Sequence, residues 1–174
     1  MDVSELNKAL ETVADTTRDE NDTQKAFDVN ECLGFRLGDE LFAIPILRVE
    51  EIRGWEQPSL LPDTKSYVKG VINLRGSIIP VVDLRERFLN TEQRYLPTTV
   101  VIVLRIFYPE TEDKIIGIVA DSVTDVIQYQ QDKLLKLPDM DDSTAEGFVK
   151  GILKHEDQVY FMLDIDPLLN INQL

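Results

Sequence analysis

Gly70-Val71-Ile72-Asn73-Leu74, then Arg75-Gly76, then Ser77-Ile78-Ile79-Pro80-Val81-Val82 sets two runs rich in β-branched residues on either side of a two-residue turn. That pattern predicts a tight β-hairpin. Three more follow the same reading. Phe35-Arg36-Leu37 and Glu40-Leu41-Phe42-Ala43-Ile44 flank Gly38-Asp39; Thr99–Ile106 and Lys114–Ala120 flank a polar turn over Tyr108–Asp113; Phe148–Lys154 and Val159–Leu163 flank His155-Glu156-Asp157-Gln158. Helical signal is thin: Asp83–Phe88 makes a turn or two with Asp83 placed to cap it, and Asp166–Leu169 is similar. Many short strands separated by turns describe small barrels or sandwiches, so the class is all-β with short helical turns.

The chain also resembles itself. At an offset of 81 residues Tyr67-Val68-Lys69-Gly70-Val71-Ile72 lies on Phe148-Val149-Lys150-Gly151-Ile152-Leu153, and Val82-Asp83-Leu84 lies on Leu163-Asp164-Ile165. At an offset of 74, Phe42-Ala43-Ile44 lies on Ile116-Gly117-Ile118 and Val49-Glu50-Glu51-Ile52 on Val123-Thr124-Asp125-Val126. The offsets differ because the second half carries a longer loop, Leu137–Asp142. The order of matches is the same in both halves, which points to a duplication. The expectation is two similar β units of five-strand scale, about 32–90 and 98–170, each too small to stand comfortably alone and therefore packed together, with a groove at the seam. Lys69/Lys150, Gly70/Gly151 and Asp83/Asp164, kept in both halves, read as demands of the fold, whereas Arg75-Gly76 becomes Glu156-Asp157 and is free for function.

The chain has 174 residues and a formal net charge of −14, which suits one domain or two very small ones. Such a charge repels phosphate backbones and anionic membranes. Apolar runs such as Val100–Leu104 fall far short of the roughly 18 residues that span a bilayer, and the acidic start Met1-Asp2-Val3-Ser4-Glu5 is unlike a secretory signal. Cys32 is the only cysteine, so no intrachain disulfide forms, and a cytosolic protein is expected. Residues 1–30 hold eight acids against three bases and no Gly or Pro, which predicts a mobile acidic tail, with residues 31–174 as the folded domain. Within the tail Val3, Leu6, Leu10 and Val13 fall at helical spacing; a transient helix without consequence is preferred there over a partner-binding one.

Catalytic constellations are missing. His155 is the only histidine and sits in a hairpin turn; with one His and one Cys there is no zinc set and no Ser–His or Cys–His arrangement. The eight glycines are dispersed, so no phosphate loop forms, and Asp139, Asp141 and Asp142 lack the ligand spacing of a calcium loop. Glu50 and Glu51 are neighbours that a strand turns to opposite faces. The expectation is a non-enzyme without cofactor or metal.

Read as one unit, Lys69-Gly70-Val71-Ile72-Asn73-Leu74-Arg75-Gly76-Ser77-Ile78-Ile79-Pro80-Val81-Val82-Asp83-Leu84-Arg85 resembles the signature of the CheW family of bacterial chemotaxis coupling proteins. Leu37–Glu40, Ile46–Gly54 and Gly117–Val126 match the same family in order, and the resemblance covers about residues 31–170. It implies two packed five-stranded SH3-like barrels with intertwined strands. It further implies an adaptor without catalytic activity that joins the cytoplasmic hairpin tip of chemoreceptors (methyl-accepting chemotaxis proteins) to the regulatory domain of the histidine kinase CheA, in arrays at the inner face of the membrane. Ile46, Val49, Glu51, Gly70 and Arg75 are the receptor-binding candidates; Ile46 and Val49 with Ile52 would offer apolar contact to a receptor helix, Arg75 would pair with a receptor carboxylate or helix C-terminus, and Glu51 would set register. Val100, Gly117, Val123 and Val126 are the kinase-binding candidates, with Asp139 and Met140 as a second kinase contact. The alternatives are a sister adaptor of another receptor–kinase pathway, such as twitching or surface sensing, and a small β-barrel metal or ligand binder using the acidic loop.

Overall fold

The computed structural model describes residues 3–16, 29–89, 94–108, 112–137 and 146–169. In chain order the elements are α1 (Val3–Thr16), β1 (Val29–Leu37), β2 (Glu40–Pro45), a 3-10 turn (Ile46–Arg48), β3 (Val49–Gly54), β4 (Val68–Leu74), β5 (Ser77–Asp83), α2 (Leu84–Leu89), β6 (Val100–Ile106), β7 (Lys114–Ala120), β8 (Ser122–Gln130), β9 (Val149–His155), β10 (Gln158–Leu163) and α3 (Ile165–Leu168). The fold is all-β, built from two five-stranded sheets with short helices and consistent with SH3-like units.

One sheet runs β8-β1-β2-β10-β9 and the other β3-β6-β7-β5-β4. The duplication makes sense of that order. Strands β1 to β5 correspond to β6 to β10, so each sheet takes its first two strands from one half and the other three from the other half. The repeat units in sequence, about 32–90 and 98–170, are therefore not the sheets in space: they exchange strands, as the intertwining implied by the family resemblance expects. The crossovers are parallel pairs at matching places: Met162 of β10 lies against Ala43 of β2, and Val81 of β5 against Gly117 of β7. Neither half can complete a sheet alone.

The repeated positions carry matching structural duties. Lys69 is the extra residue of a β-bulge opposite β5, and Lys150 is the extra residue of the same bulge opposite β10. Beside each lies a glycine where another segment crosses: Ser59 bridges Val71, and Leu135 bridges Ile152. A Cβ on Gly70, at φ +128°, would meet the Ser59 carbonyl oxygen at 2.1 Å, so only glycine fits. Asp83 accepts the backbone N–H of Arg85 at 3.0 Å and caps α2 as expected, but Asp164 makes no side-chain cap at α3. His155 is the last paired residue of β9 opposite Gln158, so the last hairpin turn is only Glu156-Asp157.

Side chains from both sheets meet in one core that includes Phe35, Phe42, Ile52, Ile102, Leu104 and Ile118. Each sheet also wraps a smaller cluster, Cys32, Ala43, Ile127, Tyr160 and Met162 in the first, and Ile79, Val81, Val101, Val103 and Val119 in the second. A buried ion cluster ties the crossover together. The Arg85 guanidinium, fully buried, donates to Asp83 at 2.7 and 3.0 Å, to Asp121 at 2.7 Å and to the Arg94 carbonyl at 3.0 Å. The other Asp121 oxygen accepts the Gly38 N–H at 2.7 Å. Burial alone would lower the Arg85 pKa, but the hydrogen bonds from both aspartates override it and hold the group above its ordinary value.

The expected mobile tail is corrected over Val3–Thr16, which form a helix seated on β3 and the 3-10 turn. Leu6 is fully buried in the shared core, and Val3 and Leu10 pack against it. Burying a leucine in this way contributes roughly 1.5–3 kcal/mol, which overrides an acidic composition. Residues 17–28, and the candidates Asp139 and Met140 with Asp141 and Asp142, lie outside the described residues.

Candidate functional site

Between α1, the 3-10 turn, β3 and the β4–β5 turn lies an open groove of about 700 Å³. Its lining includes Ile46, Val49, Glu51 and Arg75, four of the five receptor candidates, together with Asn7 and Leu10 of α1. The sheet order explains the meeting: β3 and β4 are the two edge strands of one sheet.

The β4–β5 turn has Arg75 at φ 50° and Gly76 at φ 91°, both left-handed. This is the mirror-type turn that follows the right-handed twist of a two-residue hairpin. The Gly76 N–H donates to the Asn73 side chain at 2.9 Å, which holds the turn. Arg75 is thereby presented to solvent, its side chain 84% exposed, and it reaches Glu51 at 3.0 Å. Glu51 is largely covered and also faces Arg53 Nε at 3.6 Å. An ion pair this exposed contributes at most about 1 kcal/mol to stability, so the fold does not depend on Arg75.

β3 is bulged opposite β6 between Val49 and Glu51, and the extra residue is Glu50. Glu50 pairs with Arg105 at 2.6 Å, so the two neighbouring carboxylates, both lining the groove, hold different arginines. Asn7 closes the free edge of β3: its amide nitrogen donates to the Ile52 carbonyl and its oxygen accepts the Ile52 N–H, both at 3.1 Å. A side-chain amide is matched here to a backbone peptide unit as a neighbouring strand would be.

Other candidates are placed differently. Ile46 lines the groove but is only 2% exposed, so it offers little open surface. Gly70 is buried, does not line the groove, and serves the close approach of Ser59. Val100 is 4% exposed in the shared core, and Gly117 is buried where a Cβ would meet Val101 at 2.8 Å. Gly70, Val100 and Gly117 are buried, and their packing here serves the fold. Val123 and Val126 are half-buried on β8, the edge strand of the other sheet, in register with Phe35 and Leu33. They are not brought together with Val100 and Gly117, which belong to the opposite sheet.

The sequence reading gave no separate role to three features of this region. Asn7 carried no signal beyond its place in a helical pattern. Arg48, through Asp166 at 2.6 Å and the Phe107 ring at 4.0 Å, anchors the 3-10 turn to α3. Trp55 stacks on Tyr95 at 3.8 Å, and Arg85 lies over the same Tyr95 ring. Among the described residues no three His, Cys, Asp or Glu side chains group as a metal site, and no helix is long and apolar enough to cross a membrane.

Two interleaved five-stranded sheets, an open groove rimmed by Glu51 and Arg75 and a half-covered strand edge define the class, an all-β double-sheet domain with a charged groove at one edge. Residues 31–173 match the CheW-like domain, and the chain belongs to that family of chemotaxis coupling adaptors. It is 35% identical to Chemotaxis protein CheW of Klebsiella aerogenes over 144 residues, covering 83% of this chain and 84% of that one. It is 30% identical to Protein PilI of Pseudomonas aeruginosa over 125 residues, covering 71% of this chain and 67% of that one. Among solved structures, the scaffolding protein TtCheW of Thermoanaerobacter tengcongensis superposes with a TM-score of 0.72 at 28% identity, covering 83% of this chain and 95% of that one.

Proposed function

We propose that this chain is a non-catalytic cytoplasmic adaptor that couples the hairpin tips of chemoreceptors to the regulatory domain of CheA within membrane-associated arrays. The groove receives a receptor helix, and the β8 edge faces the kinase. The observation that carries the reading is the exposed Arg75 poised over Glu51 at the rim of a groove floored by Val49. A receptor hairpin is helical and amphipathic: its apolar face suits Val49, and its carboxylates or helix C-termini suit Arg75. Val123 and Val126 on the open edge of the other sheet support a second, independent contact.

The test is calorimetric titration against the CheA regulatory domain and against a receptor hairpin of the same organism. The expected result is saturable one-to-one binding to each, with Arg75→His losing the receptor and Val126→Asp losing the kinase. Absence of binding to both partners overturns the reading. The likeness to Protein PilI, whose name is not that of a chemotaxis protein, favours the sister adaptor as the second reading. Binding only to the kinase of a different receptor pathway selects it.

A further inference from the structure

We infer that α1 is a displaceable wall of the groove, and that a partner helix gains the edge of β3 beneath it by displacing it. The inference rests on the reading of the groove as the receptor site. The helix packs on the 3-10 turn and β3, which carry Ile46, Val49 and Glu51, three of the five receptor candidates. Leu10 of α1 lines the groove beside Ile46 and Val49 and packs, with Val3, against the core to which Ile52 belongs. Asn7 occupies both backbone groups of Ile52 on the strand edge. An amphipathic helix of the chain itself therefore covers part of the surface, the edge of β3 and the 3-10 turn, on which the proposed function seats an amphipathic helix of another protein.

The seat is built for exchange. Leu6 is the one α1 side chain among those described that is fully buried, while Val3 and Leu10 are half-covered. A helix of 14 residues is marginal in water without its packing surface, so once displaced it has little reason to stay folded and compete. Twelve residues, Thr17–Asp28, join it to β1. A tether of this length returns a released segment at high local concentration, which makes α1 a reversible competitor rather than a lost one. Nor does the fold require a helix at such an edge. β8 is the equivalent strand of the other sheet, and no helix comparable to α1 lies against it among the described elements; Val126, the counterpart of Ile52, donates its N–H to the neighbouring Asp125 side chain at 2.8 Å.

The full-length chain and its variants Leu6→Asp, Asn7→Ala and Arg75→Glu are titrated with a labelled receptor-tip hairpin peptide, read by fluorescence anisotropy. Faster hydrogen exchange at the Ile52 amide, with the rest of β3 still protected, verifies that α1 is released without unfolding. A helix seated nine-tenths of the time leaves one-tenth of the molecules competent, so releasing it tightens apparent binding about tenfold. Tighter binding by Leu6→Asp and Asn7→Ala, including binding that appears only in them, bears the inference out. Unchanged or weaker binding by both, with Arg75→Glu still weakening the complex, overturns the inference and leaves the receptor site standing. No binding by any of the four chains overturns the receptor site, and the inference with it.

Discussion

The turn between β4 and β5 carries Arg75, and its counterpart between β9 and β10 carries Glu156; both hold left-handed backbone, at φ 50° and 52°. The same hairpin geometry thus accepts opposite charges at its tip. A second pair of counterparts reverses in the same way. Arg85, in the helix after β5, reaches Asp121 at the β7–β8 corner; Asp166, in the helix after β10, reaches Arg48 in the turn between β2 and β3. Each crossover keeps an ion pair between the same two places, and its polarity is free. What the two halves share is demanded by the fold. Where they part, at Arg75, at α1 over β3 and at β8, against which no described helix like α1 lies, the molecule has specialised.

The largest expected effect breaks the comparison at the ion pairs. Arg85→Met leaves Asp83 as an unpaired carboxylate in the interior, so about 3–5 kcal/mol of stability is lost. The partly exposed Arg48–Asp166 pair loses about 1 kcal/mol with Arg48→Met. Urea unfolding of both variants measures the difference, and equal losses would show that Arg85 is no buried anchor.

The glycines come next. Gly70→Ala drives a Cβ into the Ser59 backbone at a φ of +128° and costs about 2–3 kcal/mol. Gly151→Ala meets chiefly the Leu134 side chain, which can move, and costs about 1 kcal/mol. Thermal melts that rank them the other way would refute the stated cause. At the turns, Arg75→His changes stability by less than about 1 kcal/mol yet weakens the receptor hairpin about tenfold, the scale of one charge-assisted contact. Glu156→Lys does neither, and anisotropy titrations read both.

The smallest effect concerns Cys32, which stands where the other sheet has Val101. Burial, helped by the neighbouring Glu31, pushes its thiol up from 9.0 to about 12. The folded state keeps the proton that the unfolded state gives up, so this contribution to stability is whole below pH 9 and is lost as the pH rises toward 12. Cys32→Val changes stability by less than about 1.5 kcal/mol at neutral pH and removes that part of the alkaline decline. Unfolding midpoints between pH 8 and 11 compare the two chains.

Much of the molecule was legible along the chain. The hairpins at Gly38-Asp39 and Arg75-Gly76 were legible because turn chemistry is local, and the repeat because Lys69-Gly70 and Lys150-Gly151 keep one bulge and one crossing. Val49, Glu51 and Arg75 were placed on one groove. Ile46, Val100 and Gly117 could not be sorted from surface residues, since an apolar or small residue on a strand reads alike on either face until the sheet order is known. Asn7 was unreadable for a related reason: its partner, the Ile52 backbone, lies 45 residues away.

By itself the sequence determined the strands, their turns, the duplication, the family and the charge at each hairpin tip, all of which depend on neighbours a few residues apart. Only the tertiary structure decided which strands the halves exchange, that Arg85 sits buried between Asp83 and Asp121, and that an acidic N-terminal segment folds into a helix that walls the groove. Those outcomes rest on burial and on partners far apart in the chain. One buried leucine and one matched amide outweigh a local composition that favours solvent.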